Sequence, residues 1–291
     1  MLTAYAQLAA SMVLVGINVP VAKLLSESLP IAMVAGLRCL LAFAVLLPLA
    51  LHQDGVRRPG RPVLWNLFWQ AALGTVLYNA GLLAGLRLTT ALEGGLVLAT
   101  LPAVVAIGAA VFLRERLTSR SWLSVALAAS GMAAVVVART AAEAGGSALG
   151  NALVFLGVCG EASYVLLARR AAGALPVITA SLWMQAFSAG LLLPAWLPDA
   201  AQAARLADPW LLSLLVFHSL TSSVLCLLLW YAGLRRAPAG IAGVFTALLP
   251  ASAAVTAIAF LGERMTAAHT IGFALLLGSV LLATWPSRKT P

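Results

Sequence analysis

Charged residues are scarce in this sequence. Asp, Glu, Lys and Arg make up 9% of its 291 residues, whereas hydrophobic residues make up 62%. A soluble globular domain has about 25% charged and about 45–50% apolar residues. Mean hydropathy is +1.01, so the chain has more apolar surface than a soluble fold of this size removes from water. The composition therefore predicts a protein that lies largely in lipid.

Several motifs that would indicate other activities are also missing. The chain has no GxxxxGK[ST] phosphate-binding loop, no HExxH motif and no helix with an arginine at every third position. These absences argue against ATP hydrolysis, metal-dependent hydrolysis and voltage sensing. The cysteines, Cys39, Cys159 and Cys226, lie far apart in apolar stretches. We therefore expect no disulfide framework, no metal site and no cofactor.

Apolar stretches long enough to cross a bilayer take up most of the sequence. A transmembrane helix needs roughly 20 apolar residues. Ten stretches meet or approach this length: 3–23, 30–50, 64–86, 92–112, 121–139, 149–170, 176–198, 209–233, 239–261 and 268–286. The first lacks the basic segment of a cleavable signal peptide, and no connection is long enough for a soluble domain. The sequence predicts an all-α membrane protein with ten transmembrane helices.

The distribution of basic residues predicts the orientation in the membrane. The net charge is +9, and most basic residues lie in short connections between the spans. With the N-terminus in the cytoplasm, twelve Lys and Arg side chains fall on the cytoplasmic side and five on the other. This bias favours a multi-pass protein of the cell inner (cytoplasmic) membrane with both termini cytoplasmic. Basic residues in such connections give no reason to expect nucleic acid as a partner.

A sequence repeat divides the chain into two halves. Residues 84–118 align without gaps with residues 232–266, which lie 148 positions later, and 17 of the 35 pairs are identical. The shared strings are AGLR, LPA and the pair FLRERLT and FLGERMT. Earlier helices align more weakly at an offset of 146, which pairs Pro30 with Pro176 and Lys23 with Arg169. The repeat predicts two five-helix halves, residues 1–143 and 147–291.

The number of spans in each half determines how the halves are related. Because five is odd, the second half must cross the membrane in the opposite direction to the first. Inverted-topology repeats of this kind are typical of secondary transporters. The adjacent Glu and Arg of the duplicated FLxER string would then close the fourth helix of each half, once on each membrane face. We expect them to pair locally, to cap backbone carbonyls and to anchor the interface, with gating as the alternative role.

These features together resemble the EamA-type branch of the drug/metabolite transporter superfamily. The resemblance rests on the two five-helix halves, on AGLR at the start of the fourth span, on LPA within it and on FLxER at its end. GLRCLLA at 36–42 is also similar to that family's arginine-containing second helix. The resemblance implies a ten-helix fold with a central cavity between the halves. It also implies export of amino acids and other small metabolites.

Polar residues in the middle of the spans are the candidate substrate-binding residues, because a solute exchanges water for protein contacts there. Glu161 is the deepest acidic residue and the first candidate to carry a proton if transport is proton-coupled; the alternative is a carboxylate held for packing. Arg38 lies within the second span and could bind a substrate carboxylate, although the resemblance favours a structural role. The substrate-binding candidates are Asn18, Tyr78, Asn79, Glu161, Tyr164, Trp183, Gln185, His218 and Ser222.

Prolines and glycines at equivalent places in the two halves are the candidate hinge and gating residues. Pro102 and Pro250 lie 148 positions apart, as do Gly95 and Gly243. Pro20 is expected to kink the first helix. Interrupted helices at corresponding positions point to a moving or substrate-lining element, although a proline can also shape a static bend.

The sequence therefore predicts a secondary transporter that exports small organic solutes, with aromatic or other neutral amino acids as expected substrates, by alternating access. Its expected partners are a small-molecule substrate and the lipid bilayer, and two halves in one chain favour a functional monomer. Export of cationic drugs or purine-like metabolites is the alternative, which Glu161 keeps open. We do not expect an enzyme, because a membrane-embedded lipid enzyme needs clustered Asp, His or Arg at an interface. A channel is the remaining alternative.

Overall fold

Helices make up the regular structure of this protein. The computed structural model describes residues 1–53, 59–89, 94, 97–139, 147–261 and 267–285. Within these ranges every regular element is an α-, π- or 3-10 helix.

The helices follow the two halves of the sequence repeat. The first half contains α1 (Leu2–Ser28), α2 (Ile31–Gln53), α3 (Arg61–Ala71), α4 (Tyr78–Leu86), α5 (Leu101–Phe112) and α6 (Ser119–Arg139). The second half contains α7 (Ala148–Arg170), α8 (Val177–Trp196), α9 (Pro209–His218), α10 (Cys226–Leu234), α11 (Ala239–Phe245), α12 (Leu248–Leu261) and α13 (Ala267–Thr284). A 3-10 helix over Leu197–Ala207 follows α8.

Six helical segments of the described chain are long and apolar enough to cross a membrane. They are Leu2–Ser28, Ile31–Gln53, Arg61–Gly85, Ala148–Arg170, Val177–Ala207 and Pro209–Leu234. Leu101–Phe112 and Thr270–Thr284 are shorter apolar helices. The expectation of a helical, multi-pass membrane protein is confirmed. The count of ten spans stays a prediction, because the fourth predicted span is broken in the second half and lies partly outside the described residues in the first.

The break in the second half comes just before a proline. A turn at residues 246–247 separates α11 from α12, and Pro250 lies in the first turn of α12. Proline has no N–H to donate to the carbonyl four residues earlier, so a continuous helix through residues 246–250 would lose a hydrogen bond. At the break, the Thr246 hydroxyl donates a hydrogen bond to the carbonyl of Gly243 at 2.6 Å. In the first half, Thr100 closes a similar turn and Pro102 follows in the first turn of α5.

The third span of each half contains a π-helical turn. One turn covers Ala72–Leu77 between α3 and α4, and the other covers Ser219–Leu225 between α9 and α10. When the repeat offset of 148 is applied, the first turn matches residues 220–225 of the second, which begins one residue earlier. A π turn shifts the register of the side chains on either side of it, and such turns are frequent at functional sites. Its presence in both halves makes it a property of the repeat.

The two halves are interlocked rather than placed side by side. The most extensive helix contacts join different halves: α6 with α13, α2 with α8, α4 with α7, and α1 with both α10 and α12. Small residues allow this close approach. A Cβ atom added to Gly81 of α4 would lie 2.7 Å from the backbone oxygen of Leu153 on α7. The protein therefore has a core that both halves share.

The FLRERLT string at 112–118 links the fourth spans of the two halves. Arg114, with a φ of 53°, turns the chain after α5. The Glu115 carboxylate then accepts hydrogen bonds from the backbone N–H groups of Ala239 at 2.9 Å and Gly240 at 3.1 Å, at the start of α11. Arg169 Nε lies 3.8 Å from the same carboxylate. Glu115 thus caps the amides of another helix rather than the carbonyls of its own, because helix N-termini carry unpaired N–H groups and attract negative charge.

Candidate functional site

Two adjoining cavities lie between the halves, with volumes of about 180 Å³ and about 340 Å³. They share a wall formed by Met12, Val15, Arg38, Gly74, Thr75 and Glu161. The lining of the smaller cavity also includes Tyr164, Met184, Gln185, Ser222, Ser223 and Cys226. That of the larger cavity includes Tyr78, Asn79, Leu98, Leu101, Thr246 and Leu249. Ligand pockets have volumes of about 300–1,000 Å³, so the two cavities together have room for a small organic molecule.

The repeat brings equivalent positions of the two halves to the cavity walls. At an offset of 148 the lining pairs include Gly74 with Ser222, Thr75 with Ser223, Tyr78 with Cys226, Leu98 with Thr246 and Leu101 with Leu249. At an offset of 146 they include Val15 with Glu161 and Arg38 with Met184. Both halves therefore contribute equivalent sequence positions to the cavity walls.

Glu161 supplies an acidic side chain to the shared wall. It lies in the middle of α7 and is partly buried. Within the described ranges, no hydrogen bond or ion pair holds its carboxylate to a neighbouring residue. An ionised carboxylate accepts hydrogen bonds at both oxygens, so Glu161 is available to a donor group in the cavity.

Arg38 supplies a positive charge to the same wall. Its Nη1 lies 3.5 Å from the Ser222 hydroxyl, at the outer limit of a hydrogen bond, and its Nε is buried without a partner. Its backbone carbonyl accepts a hydrogen bond of 2.8 Å from the hydroxyl of Ser219, which holds α2 against the π turn. Among the described residues, no ion pair within 4.0 Å joins Arg38 to Glu161. The guanidinium, with five donors, thus retains N–H groups for a ligand.

Neutral polar side chains join the π turns to α8. Thr75 Oγ1 lies 3.1 Å from Ser188 Oγ, and Gln185 Nε2 donates to the carbonyl of Ser223 at 2.8 Å. Thr75 and Ser223 are repeat equivalents, so α8 contacts the same position of both π turns. The Asn79 side-chain amide donates to the carbonyl of Thr75 at 2.6 Å. These groups already have partners within the protein, in contrast to the Glu161 carboxylate and to Nε of Arg38.

Six of the nine predicted substrate-binding residues line the cavities. The larger cavity is lined by Tyr78, Asn79 and Glu161, and the smaller by Glu161, Tyr164, Gln185 and Ser222. Their role in binding a substrate stays a prediction.

The other three predicted residues contact other parts of the fold. His218 Nδ1 lies 2.9 Å from Asn18 Oδ1, and Asn18 Nδ2 donates to Thr221 Oγ1 at 2.9 Å. This network joins α1 to the third span of the second half. Trp183 packs on Phe187 with ring centroids 5.8 Å apart, and its Nε1 is buried without a partner. None of these three residues lines either of the two cavities.

The predicted hinge residues of the fourth spans lie beside helix breaks where the structure describes them, whereas Pro20 lies within the continuous helix α1. Pro20 is buried in α1, Pro102 lies in the first turn of α5, and Gly243 is buried in α11 beside the break. Pro250 lies in α12, and Gly95 lies outside the described residues. Their role as hinges stays a prediction.

Several lining residues were not predicted. Thr75 and Ser223 carry hydroxyl groups 148 positions apart within apolar spans, so extending the repeat alignment towards the N-terminus would have indicated them. Val15 and Met184 gave no signal of their own, because apolar residues in a span look alike whether they face lipid, protein or cavity. The repeat alignment does indicate them, because Val15 is the equivalent of Glu161 and Met184 is the equivalent of Arg38.

A multi-pass helical protein with a cavity lined by both of its repeats has the organisation of a membrane solute transporter. The sequence model of the EamA-like transporter family matches the chain twice, over residues 2–137 and 148–285. The chain therefore belongs to the EamA-like transporter family, which confirms the resemblance seen in its sequence motifs.

Known proteins similar to this chain agree with that assignment. A protein of Bacillus subtilis (strain 168), described as the uncharacterized transporter YetK, is 31% identical over 294 aligned residues, which cover 99% of this chain and 88% of the relative. A solved crystal structure is similar over 95% of each chain, with a TM-score of 0.78 and 18% identity. That likeness shows a shared fold. The family and the relative point to a transporter rather than an enzyme.

Proposed function

We propose that this protein is a secondary transporter that exports small organic solutes, with aromatic or other neutral amino acids as its substrates. The observation that carries this proposal is the cavity between the halves. Its shared wall holds one basic and one acidic side chain, Arg38 and Glu161, among apolar and neutral polar residues. A neutral amino acid has a matching composition, because it carries one charge of each sign and an uncharged side chain.

The remainder of the lining supports an apolar or aromatic side chain on the substrate. Leu98, Leu101 and Leu249 line the larger cavity together with Tyr78, and Tyr164 lines the smaller one. Apolar surface removed from water stabilises a complex by about 25 cal/mol per Å², and aromatic rings add favourable ring contacts. An inorganic ion would find few charged ligands here.

The interrupted fourth spans support an alternating-access mechanism. Leu98 and Thr246 are repeat equivalents, and both line the larger cavity. Thr246 lies in the turn between α11 and α12, and Leu98 lies shortly before the turn that precedes α5. A change of backbone direction at these turns would alter the cavity from both halves at once, as expected when two inverted repeats open in turn to the two sides of a membrane.

The proposal includes a location and a coupling mechanism. The protein is expected in the cell inner membrane as a functional monomer, with both termini cytoplasmic and its halves, 1–143 and 147–291, in inverted topology. Glu161 is the candidate proton carrier, because it is the acidic side chain on the shared wall and no neighbour holds its carboxylate. A carboxylate that takes up a proton at one membrane face and releases it at the other couples export to proton entry.

Export of cationic drugs or purine-like metabolites is the second candidate function. Glu161 favours it, because an unpaired carboxylate in a cavity attracts a cation. Arg38 on the same wall opposes it by repelling the same cation. An amino acid and an organic cation should therefore differ strongly in how well each inhibits the transport of a labelled substrate.

Counterflow in liposomes tests the proposed function. Liposomes that contain the purified, folded protein are loaded with one unlabelled amino acid at a time, and uptake of a labelled neutral amino acid is measured. Saturable stimulation by neutral amino acids such as Phe, Leu, Met or Thr supports the proposal. Stimulation by organic cations or nucleoside-like compounds, with none from any amino acid, would support the second function instead.

A further inference from the structure

Arg38 and Glu161 each occupy a wall position that has an equivalent in the other half, but neither equivalent is an ionisable residue. The repeat equivalent of Arg38 is Met184, and the equivalent of Glu161 is Val15. All four residues line the smaller cavity. The scaffold of the cavity is therefore duplicated, whereas its ionic chemistry is not. A ligand in this cavity meets the basic side chain of Arg38 on α2 and the acidic side chain of Glu161 on α7. The cavity therefore distinguishes one end of a ligand from the other.

The surroundings of Arg38 favour an anion as its partner. Ser222 Oγ donates its proton to the carbonyl of His218 at 2.6 Å, so towards Arg38 this hydroxyl acts as an acceptor. The contact is long, 3.5 Å, and the buried Nε has no partner. A guanidinium binds a carboxylate through two parallel N–H groups. A carboxylate ligand would supply the hydrogen-bond acceptor that Arg38 Nε lacks within the protein.

The surroundings of Glu161 favour a cation as its partner. Its carboxylate has no donor among the described residues, and it lies on the wall that both cavities share. Tyr78 and Asn79 line the larger cavity on the side of the first half. An ammonium group has hydrogens that a carboxylate accepts readily, and the contact gains strength where water is excluded.

We propose that Arg38 binds the carboxylate and Glu161 the ammonium group of an α-amino acid, which holds the substrate in one orientation. The substrate side chain then extends into the larger cavity towards Leu98, Leu101 and Leu249. This inference rests on the proposed function and assigns the two groups that recognise the part common to all amino acids. Specificity among amino acids is set by the apolar wall.

Analogues that lack one charge test this assignment on the unaltered protein. Counterflow of labelled L-phenylalanine is measured with phenethylamine, which lacks the carboxylate, and with phenylpropionate, which lacks the ammonium group. Isoamylamine and isocaproate serve in the same way for L-leucine. Each analogue leaves one wall charge unpaired, so it should compete about 10- to 100-fold less well than its amino acid.

The outcomes separate this inference from the proposed function. If an amine competes as well as its amino acid, Arg38 does not bind the carboxylate; if an acid competes as well, Glu161 does not bind the ammonium group. Either result overturns the assignment while leaving amino-acid transport intact. Absence of saturable counterflow with every amino acid tested, in liposomes shown to hold folded protein, overturns the proposed function and the assignment with it.

Variants of Arg38 distinguish recognition from a structural role. Ligand-induced thermal stabilisation of the purified protein gives binding without requiring transport. Arg38→Gln should weaken L-phenylalanine binding about 10- to 100-fold and abolish its preference over phenethylamine. Arg38→Lys should keep part of that preference, because it retains the charge but not the paired donors. Arg87→Gln, at an exposed position after α4, is the matched control.

A second variant tests the other end of the substrate. Glu161→Gln should abolish the preference for L-phenylalanine over phenylpropionate and leave the preference over phenethylamine unchanged. A purely structural Arg38 or Glu161 would lower the thermal stability of the variant without changing these preferences. That pattern, with folded variants, contradicts the assignment.

Discussion

At the scale of single residues, Arg114 has a backbone conformation that glycine adopts more easily. Its φ of 53° places it in the left-handed region, which costs an L-residue about 1–2 kcal/mol and glycine very little. The equivalent residue of FLGERMT, 148 positions later, is Gly262. In the first half, Glu115 follows this turn of the chain and accepts hydrogen bonds from the start of α11. The repeat therefore aligns Arg114 with glycine, the residue type that adopts the backbone conformation of Arg114 with the least strain.

Replacing Arg114 by glycine should stabilise the protein. Arg114→Gly is expected to raise the free energy of unfolding by about 1 kcal/mol, since relief of left-handed strain outweighs the added freedom of the unfolded chain. Thermal unfolding in detergent measures the change. Arg116→Gly, two residues further on, is the control and should not stabilise. If both variants lose stability equally, the side chain of Arg114 matters more than its backbone.

Residue depth alone predicted the candidate site only in part. Glu161, Tyr78 and Asn79 were predicted because they are polar and lie mid-span, and they line a cavity. Asn18 and His218 satisfy the same criterion, yet they hydrogen-bond to each other. Depth in a span says nothing about which face of the helix a side chain occupies. That choice depends on helix packing, and a sequence without an assembled bundle does not supply it.

At the scale of secondary-structure elements, hydrophobicity predicted where helices lie but not how they are interrupted. The predicted span 209–233 corresponds to two helices and a π turn, which together cover Pro209–Leu234. A π turn changes the hydrogen-bonding register without changing composition, so it leaves no mark on an apolar run. The break between α11 and α12 was indicated more clearly, because Pro250 removes a donor at that place. The partner of Glu115 was not predictable, since it lies 124 residues away.

The Glu115 cap should contribute measurably to stability. Glu115→Ala leaves the N–H groups of Ala239 and Gly240 without their acceptor, and it should lower the free energy of unfolding by about 1–2 kcal/mol. Glu115→Gln keeps an acceptor but loses the charge, so it should lose less. Glu27→Ala, at an exposed position near the end of α1, is the control for thermal unfolding. Equal loss from Ala and Gln variants would show that the charge, rather than the hydrogen bonds, carries the effect.

The contact between α4 and α7 should be intolerant of a single methyl group. A Cβ on Gly81 would lie 2.7 Å from the Leu153 backbone oxygen and 2.9 Å from the backbone nitrogen of Gly157. Gly81→Ala should therefore force the helices apart and destabilise the protein by about 1–3 kcal/mol. Gly190→Ala is the matched control, because nothing lies within 4 Å of a Cβ at that position of α8. Similar thermal stabilities of the two variants would contradict this packing.

At the scale of the whole molecule, the interlocking of the halves limits how the protein can move. The pairs α6 with α13 and α2 with α8 each join equivalent helices, and α1 and α7 each pack against the third and fourth spans of the opposite half. Two bodies that each consisted of one sequence half would have to break most of these contacts to separate. The proposed alternating access would therefore need moving bodies that contain helices from both halves.

Cleaving the chain between the halves should leave the protein assembled. A specific protease site placed between residues 140 and 147 would separate 1–139 from 147–291 after cleavage. Because the largest helix contacts join the halves, the two fragments should elute together in detergent and retain counterflow. An equivalent cut between residues 53 and 59, inside the first half, serves as the comparison. Separate elution of intact halves would show that each folds around a core of its own.

The unequal charges of the cavity wall also bear on how such a protein can arise. An ancestor assembled from two identical five-helix chains would present every wall position twice, so an arginine at one place would bring a second arginine and a glutamate a second glutamate. Like charges confined in one small cavity repel each other. Joining the two copies in one gene removes this restriction, because each copy then mutates alone. Arg38, whose repeat equivalent is a methionine, and Glu161, whose repeat equivalent is a valine, are differences that an assembly of two identical chains could not have.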